Sequence, residues 1–473
     1  MRNSLWKVIV PVLSGLILLL LPVPQGLNAN AWHYFALFVA VIMGLILEPL
    51  PAAALGFAGV TAAASIRLVA AKPDDAIKWA LSGFSDTTVW LIFVAFMFTL
   101  GYEKTGLGKR IALVLVRFLG KKTLGLGYAV TLADLVLAPF MPSNTARSGG
   151  TIYPIVRNIP VLYGSQPGET ARDIGSYIMW TAFAATCVTS SMFLTSLAPN
   201  VLAVSLVKKT LKLDITWSEW FLGFLPVGLI LILTLPLLAY KIYPPVLKAS
   251  EEVPEWAGRE LAKMGRLSRN EVLMALLAIL AVVLWIFGTK LLNAATVALL
   301  VFSLMLFTGI VTWEDVVGHK QAWNVLVWFG TLVPLADGLN KVGFVAWFAK
   351  AIANAMSGLS VTVMVLLLTA IFFTVHYMFA SLTAHATALL PVFLAVSTGV
   401  PSIPVKIFSL LLCYTLGLMG ILTPYATGPA PVYYGSGYIR RKEFWTLGLI
   451  FGVIYITALL AIGAPYLFTI YAR

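Results

Sequence analysis

The chain has 473 residues, of which 60% are hydrophobic and 11% charged, and its mean hydropathy is +0.93. Soluble domains carry about 25% charged residues, so a water-facing surface is excluded at this length and lipid is the remaining solvent. The net charge of +13 points not to nucleic acid but to Lys and Arg kept on one face of a membrane, and it favours anions near a pathway's mouths.

Arg2 and Lys7 precede a first apolar run, and Ala29-Asn30-Ala31 resembles a signal-peptidase site. The run is read as an uncleaved first helix ending at Leu21-Pro22. Spans follow near 6–22, 32–49, 52–70 and 82–102, then a basic amphipathic stretch at 103–122. Next come an apolar region at 123–156, a long span at 174–207 and another at 217–240. The polar stretch 241–269 carries Glu251, Glu252, Glu255, Arg259 and Arg266 and reads as a solvated linker between two halves. The second half has spans near 271–289, 293–311 and 322–340 and an amphipathic stretch at 341–356. An apolar region at 359–398, a long span at 403–437 and a last span at 443–470 complete it. Cys187 and Cys413 fall inside apolar spans without metal-ligand spacing and read as buried free thiols. The 14 Trp and 17 Tyr suit anchors at the two interfaces.

The regions 123–156 and 359–398 are too long for one straight span and are polar near the middle. Pro142-Ser143-Asn144-Thr145 interrupts the first, Ser381-Leu382-Thr383 the second. Each is read as a re-entrant hairpin, because irregular backbone at membrane depth is tolerated only inside protein or beside a water-filled cavity. Most of the 32 Lys and Arg then lie on one side, in 1–7, 103–122, 157–172, 241–269, 440–442 and at Lys320. This puts the N-terminus in the cytoplasm and the C-terminus outside. The expected fold is an all-α polytopic membrane protein with about eleven transmembrane helices and two re-entrant helical hairpins.

The halves repeat one another. Lys104-Thr105-Gly106-Leu107 precedes the first hairpin and Lys341-Val342-Gly343-Phe344 the second. Ser143-Asn144-Thr145-Ala146-Arg147 matches Ser381-Leu382-Thr383-Ala384-His385. Each hairpin is followed by a span broken at Ser196-Leu197-Ala198-Pro199-Asn200 or at Ala426-Thr427-Gly428-Pro429. An odd number of spans separates the repeats, so their topologies are inverted, and inverted repeats with broken helices at matching positions mark a secondary transporter with a midplane site.

A hairpin tip offers an anion free N–H groups and about half a positive charge. Ser143, Asn144 and Thr145 in one tip, and Ser381 and Thr383 in the other, can replace water around a carboxylate. Arg147 and His385 each lie four residues after the motif serine. An arginine in a span costs about 2.5–3.5 kcal/mol or more, so it is expected to serve substrate charge or to pair with Asp134 in the same hairpin. His385 is expected either to add a cation or to be a neutral helix histidine; His376 is read as structural. Asp134, Asp86 and Asp337 are the candidates for proton coupling, and the last two sit where caps belong. Walker A, HExxH and nucleophile-elbow contexts are absent from the sequence, so neither an ATP-driven pump nor an enzyme is expected, and no cofactor.

At these residues the chain resembles the divalent anion/sodium symporter family over nearly its full length. Pro142 to Arg147 and Thr423-Pro424-Tyr425-Ala426-Thr427-Gly428-Pro429 resemble its bacterial exchanger branch, as do Ala31 to Ala36, Ala198 to Leu202, Phe379 to His385, Gly101 to Gly108 and Tyr433 to Tyr438. The resemblance implies a homodimer in the bacterial inner membrane working as an elevator. Scaffold helices would lie in 1–122 and 270–358, and transport parts in 123–240 and 359–473, joined by the cytoplasmic linker 241–269. It implies exchange of small carboxylate anions, citrate or tartrate against succinate. Substrate contacts would map onto Asn144, Thr145, Thr383 and Thr427, and sodium ligands onto Ser143, Asn144, Ser196 and Ala426. Leu382 stands where the symporters have Asn and cannot donate oxygen to a hard cation, so these positions read as vestigial and the exchange as sodium-independent. Arg147 and His385 would then act as fixed cations that cannot leave with the substrate, making exchange obligatory, with Ser196 and Thr427 completing the site. The alternatives are a sodium- or proton-coupled dicarboxylate symporter and a channel-like anion pathway.

Overall fold

The computed structural model describes residues 5–249, 251–288, 290–355, 358–400 and 402–471, and the regular elements among them are helices apart from an isolated bridge between Lys122 and Ala249. Arg2, in the first basic cluster, lies outside the described residues, as do Thr289 and Met356 at the ends of two expected stretches. Among the described residues, nine helices are long and apolar enough to cross a bilayer, by length and composition. Four shorter apolar helices accompany them: Leu5–Leu20, Ala52–Ser65, Ala294–Phe307 and Val405–Ile421. The nine include hairpin arms, so length alone does not map one-to-one onto the expected spans.

Local chemistry sets the helix ends. Asp86 accepts from the Thr88 amide and starts Thr87–Thr105. Gly106 ends that helix at φ 77°, a conformation that costs a side chain but not a glycine. Thr216 with Glu219, and Ser268 with Glu271, form capping boxes that open Trp217–Ile242 and Arg269–Phe287.

Both long apolar regions are helix–break–helix units whose arms are pinned together. Thr123–Leu137 stops before Pro139 and Pro142, and the chain resumes as a π-helical stretch, Thr145–Ile152. Asp134 on one arm and Arg147 on the other join at 3.1 Å. In the second unit, Val361–Val375 and Leu382–Gly399 are joined through His376 and His385. The tips repeat bond for bond. The Ala146 amide donates to Ser143 Oγ and the Arg147 amide to the Ser143 carbonyl. The Ala384 amide donates to Ser381 Oγ and the His385 amide to the Ser381 carbonyl. The long spans are broken too, Gly175–Met192 from Ala198–Leu211, and Val405–Leu418 from the short Ala430–Gly435.

The stretch 241–269 is not a wholly solvated linker. It contains the helix Glu252–Met264, which buries Val253, Ala257 and Leu261 and packs on Leu107–Leu119. Its acidic and basic residues occupy the opposite face, which is why composition alone read as solvent-exposed chain. Arg110 closes the helix by donating to the Gly265 carbonyl at 3.0 Å and to Glu271, a carboxylate only 3% exposed. Nearby, a hydrogen bond from Lys104 holds the Asp315 carboxyl down at about 2, so that tie stays charged into acid. Arg110→Ala leaves Glu271 buried without its cation and should lower stability by about 1–3 kcal/mol. Limited proteolysis should then cut faster within 244–268; unchanged cutting would mean that the apolar face holds the helix alone.

Candidate functional site

The first tip is wedged between the two broken spans. The Ala198 amide donates to the Pro142 carbonyl at 2.8 Å, and Thr195 Oγ1 to the Pro139 carbonyl at 2.6 Å. These bonds occupy carbonyls left without intrahelical partners where the helix ends. On the other side Asn144 Nδ2 donates to Thr427 Oγ1 at 2.8 Å. Thr145 stands against Gly428, where a Cβ would lie 1.8 Å from Thr145 Oγ1. Ser143, Asn144, Thr145, Ser196 and Thr427, predicted separately, thus converge on one region. Asn144 and Thr427 are nearly buried, whereas Thr145 is exposed.

Arg147 belongs to this region but not to its surface. It is fully buried. Nε donates to Asp134, and Nη1 donates to the Met141 and Ser196 carbonyls, each at 2.7 Å. Nη2 faces Thr186, Thr189 and Ser190 Oγ at 3.0–3.4 Å. Thr189 in turn donates to Asp134. The guanidinium therefore has its own counter-ion and staples the first tip to the first break. The alternative of an internal pair with Asp134 is the one the geometry adopts; a free cation facing substrate is not.

His385 departs from the fixed-cation expectation as well. Its Nδ1 lies 3.3 Å from His376 Nδ1, and His376 Nε2 lies 2.9 Å from the Ala426 carbonyl. A carbonyl only accepts, so His376 is protonated at Nε2. The two Nδ1 atoms share one proton, so the pair carries at most one positive charge, and with both rings neutral His385 donates. His385 Nε2 is buried without a hydrogen-bond partner among the described residues.

The halves thus use one device. A hairpin side chain donates to the carbonyl at the break of its own half, Arg147 to Ser196 and His376 to Ala426. Ser381 caps the second tip, and Leu382 and Thr383 are buried beside it. Ser381, Thr383 and His385 make no hydrogen bond to the first tip among the described residues. The hydroxyls of Thr186, Thr189 and Ser190 escaped sequence reading because small polar residues inside an apolar span resemble helix packing. Their signal is the i, i+3, i+4 spacing, which puts all three on one face. Asp86 caps a helix, as expected, and pairs with Lys209; Asp337 does not cap, because it lies inside Lys320–Lys341 and pairs one turn on with Lys341.

One cavity of about 680 Å³ reaches the first break at Leu194, and another of about 490 Å³ lies along the second arm of the first hairpin at Gly150, Thr151 and Pro154. The larger lies between Ser85–Thr88 and the far half of the first broken span. Neither is lined by Asn144, Thr145, Thr383 or Thr427.

Comparison with known proteins agrees with this architecture. The sodium:sulfate symporter transmembrane region family matches residues 2–471. The citrate/succinate antiporter of Escherichia coli K12 is 48% identical over 98% of both chains. The L-tartrate/succinate antiporter of the same strain is 47% identical over 97% of both. The YdaH transporter of Alcanivorax borkumensis, a crystal structure, superposes with a TM-score of 0.60 at 14% identity, covering 92% of this chain and 98% of that one, which speaks to the fold alone. With a family match across essentially its whole length and relatives nearly half identical from end to end, this chain is a member of the sodium:sulfate, or divalent anion/sodium, symporter family of membrane transporters.

Proposed function

We propose that this protein exchanges di- and tricarboxylates across the bacterial inner membrane, citrate or tartrate against succinate, without sodium. The observation that carries the reading is end-to-end similarity to two antiporters of such anions. Sodium independence rests on the two breaks. A sodium ion needs a cage of oxygens. Here Arg147 donates to the Ser196 carbonyl, His376 to the Ala426 carbonyl, and Leu382 contributes hydrocarbon. The positive end for a carboxylate comes from the N–H groups of the tips, with Ser143, Asn144, Thr145, Ser381, Thr383 and Thr427 as substrate contacts. Arg147 and His385 are positioning residues rather than free counter-charges, Arg147 acting on the break at Ser196 and His385, through His376, on the break at Ala426.

Each hairpin is bound to the broken span of its own half, which supports a transport body of 123–240 and 359–473 moving against a scaffold of 1–122 and 270–358. A homodimeric elevator with a cytoplasmic N-terminus and a periplasmic C-terminus is part of the same proposal. Counterflow in proteoliposomes tests it: vesicles loaded with succinate should take up labelled citrate or tartrate in sodium-free buffer, and empty vesicles should not. Uptake into empty vesicles that requires sodium would make the protein a symporter. Flux without saturation or trans-stimulation would make it a channel.

A further inference from the structure

The larger cavity already holds carboxylates, and they are the protein's own. Asp86, at the start of Thr87–Thr105, points one oxygen to the Thr88 amide. Its other oxygen accepts from Ser205 Oγ at 3.0 Å and lies 3.4 Å from Lys209 Nζ. Ser205 and Lys209 are one turn apart on Ala198–Leu211, so one helix face presents both donors. Beside them Lys208 holds Asp214 at 2.8 Å. Lys212 lines the same cavity, its ammonium donating to the Lys209 carbonyl at 3.2 Å. The cavity measures about 680 Å³, ample for a short polycarboxylate, and reaches Leu194 at the first break. It thus opens between the two proposed bodies, with carboxylate-binding lysines at one end and the candidate site's supporting break at the other.

We propose that this cavity is an entrance site for di- and tricarboxylate anions, recognised by Lys208, Lys209, Lys212 and Ser205, in which Asp86 is a resident competitor. An incoming carboxylate takes the place of the Asp86 carboxylate on Lys209 and Ser205. The same exchange of partners releases a contact between the helices Thr87–Thr105 and Ala198–Leu211. The inference rests on the carboxylate-exchange reading above and adds where the anion first binds.

Opposite-sign variants test it. Asp86→Asn removes the competitor while keeping a side chain that caps a helix as well as Asp does. Lys209→Gln and Lys212→Gln remove attraction. In succinate-loaded vesicles of one orientation, the KM for labelled tartrate offered at this face should fall in Asp86→Asn. It should rise about tenfold in the double lysine variant at low ionic strength, an effect that salt erases. The KM from the opposite face should stay unchanged. If Asp86 and Lys209 were only a structural latch, both variants would break one ion pair and shift KM in the same direction, and that outcome overturns the proposal. Equal KM changes from both faces would also overturn it. Absence of exchange in the wild type would instead remove the underlying functional reading.

Discussion

Arg147→Met is expected to abolish exchange and to destabilise the protein at the same time. The substitution leaves Asp134, 1% exposed, as a buried carboxylate with one oxygen already unpartnered and the other held by a hydroxyl. Breaking one side of a buried ion pair costs about 3–5 kcal/mol. The Met141 and Ser196 carbonyls lose their shared donor, at about 1–3 kcal/mol for each buried group left unpaired. The double variant Arg147→Met with Asp134→Leu separates the two effects. Removing both charges from a buried pair is often neutral for stability, so its melting temperature in detergent should return towards wild type. Exchange should stay absent, because the first tip then keeps only its bonds from Ala198 and Thr195 and loses the guanidinium that ties Met141 to Ser196 at the first break. Wild-type exchange in Arg147→Met would refute the stapling role. Recovered exchange in the double variant would show that only charge balance matters.

Gly428→Ala is expected to lose exchange with little loss of stability. A methyl at this position would lie 1.8 Å from Thr145 Oγ1 and 3.1 Å from Thr145 Cβ. Thr145 is exposed and can retreat, so the fold tolerates the change. The retreat moves the tip that carries Asn144 off Thr427, and displacements near 1 Å in a positioned site cost about a hundredfold. Counterflow should drop accordingly while thermal melting stays near wild type. Adding Thr145→Ala removes the worse contact but leaves the tight approach at Cβ and takes away a proposed substrate contact, so recovery should be partial at most. Exchange unaffected by Gly428→Ala would mean that the Thr145–Gly428 contact opens during every cycle and does not define the site. The two predictions differ in kind, the arginine supporting fold and site together and the glycine only the fit between one tip and one break.

Much of this architecture is legible in one dimension. Pro139 and Pro142 end a helix wherever it sits, and a serine with two amides behind it caps the next one, so the breaks and tips can be read from residue types. The repeat is legible for the same reason, since Ser143 and Ser381 carry the same local bonds in both halves. The helix Glu252–Met264 was hidden because its short apolar face is diluted among charges, and periodicity over three turns is a weak signal. Arg147 was visible as an anomaly, but its partner was not decidable: Asp134 and an external anion satisfy the same guanidinium.

What the sequence by itself determined is therefore the solvent and the inventory of breaks, because composition, spacing and chain stops act locally; the family came from the resemblance of its motifs. What only the tertiary structure decided is which groups meet. Asn144 and Thr427 are 283 residues apart yet share a hydrogen bond, and Arg147, next to the first tip, is committed to Asp134 inside the protein. Long-range partners are set by how buried polar groups satisfy one another across packed helices. In a low-dielectric interior that constraint is severe, but it is invisible until the chain is folded.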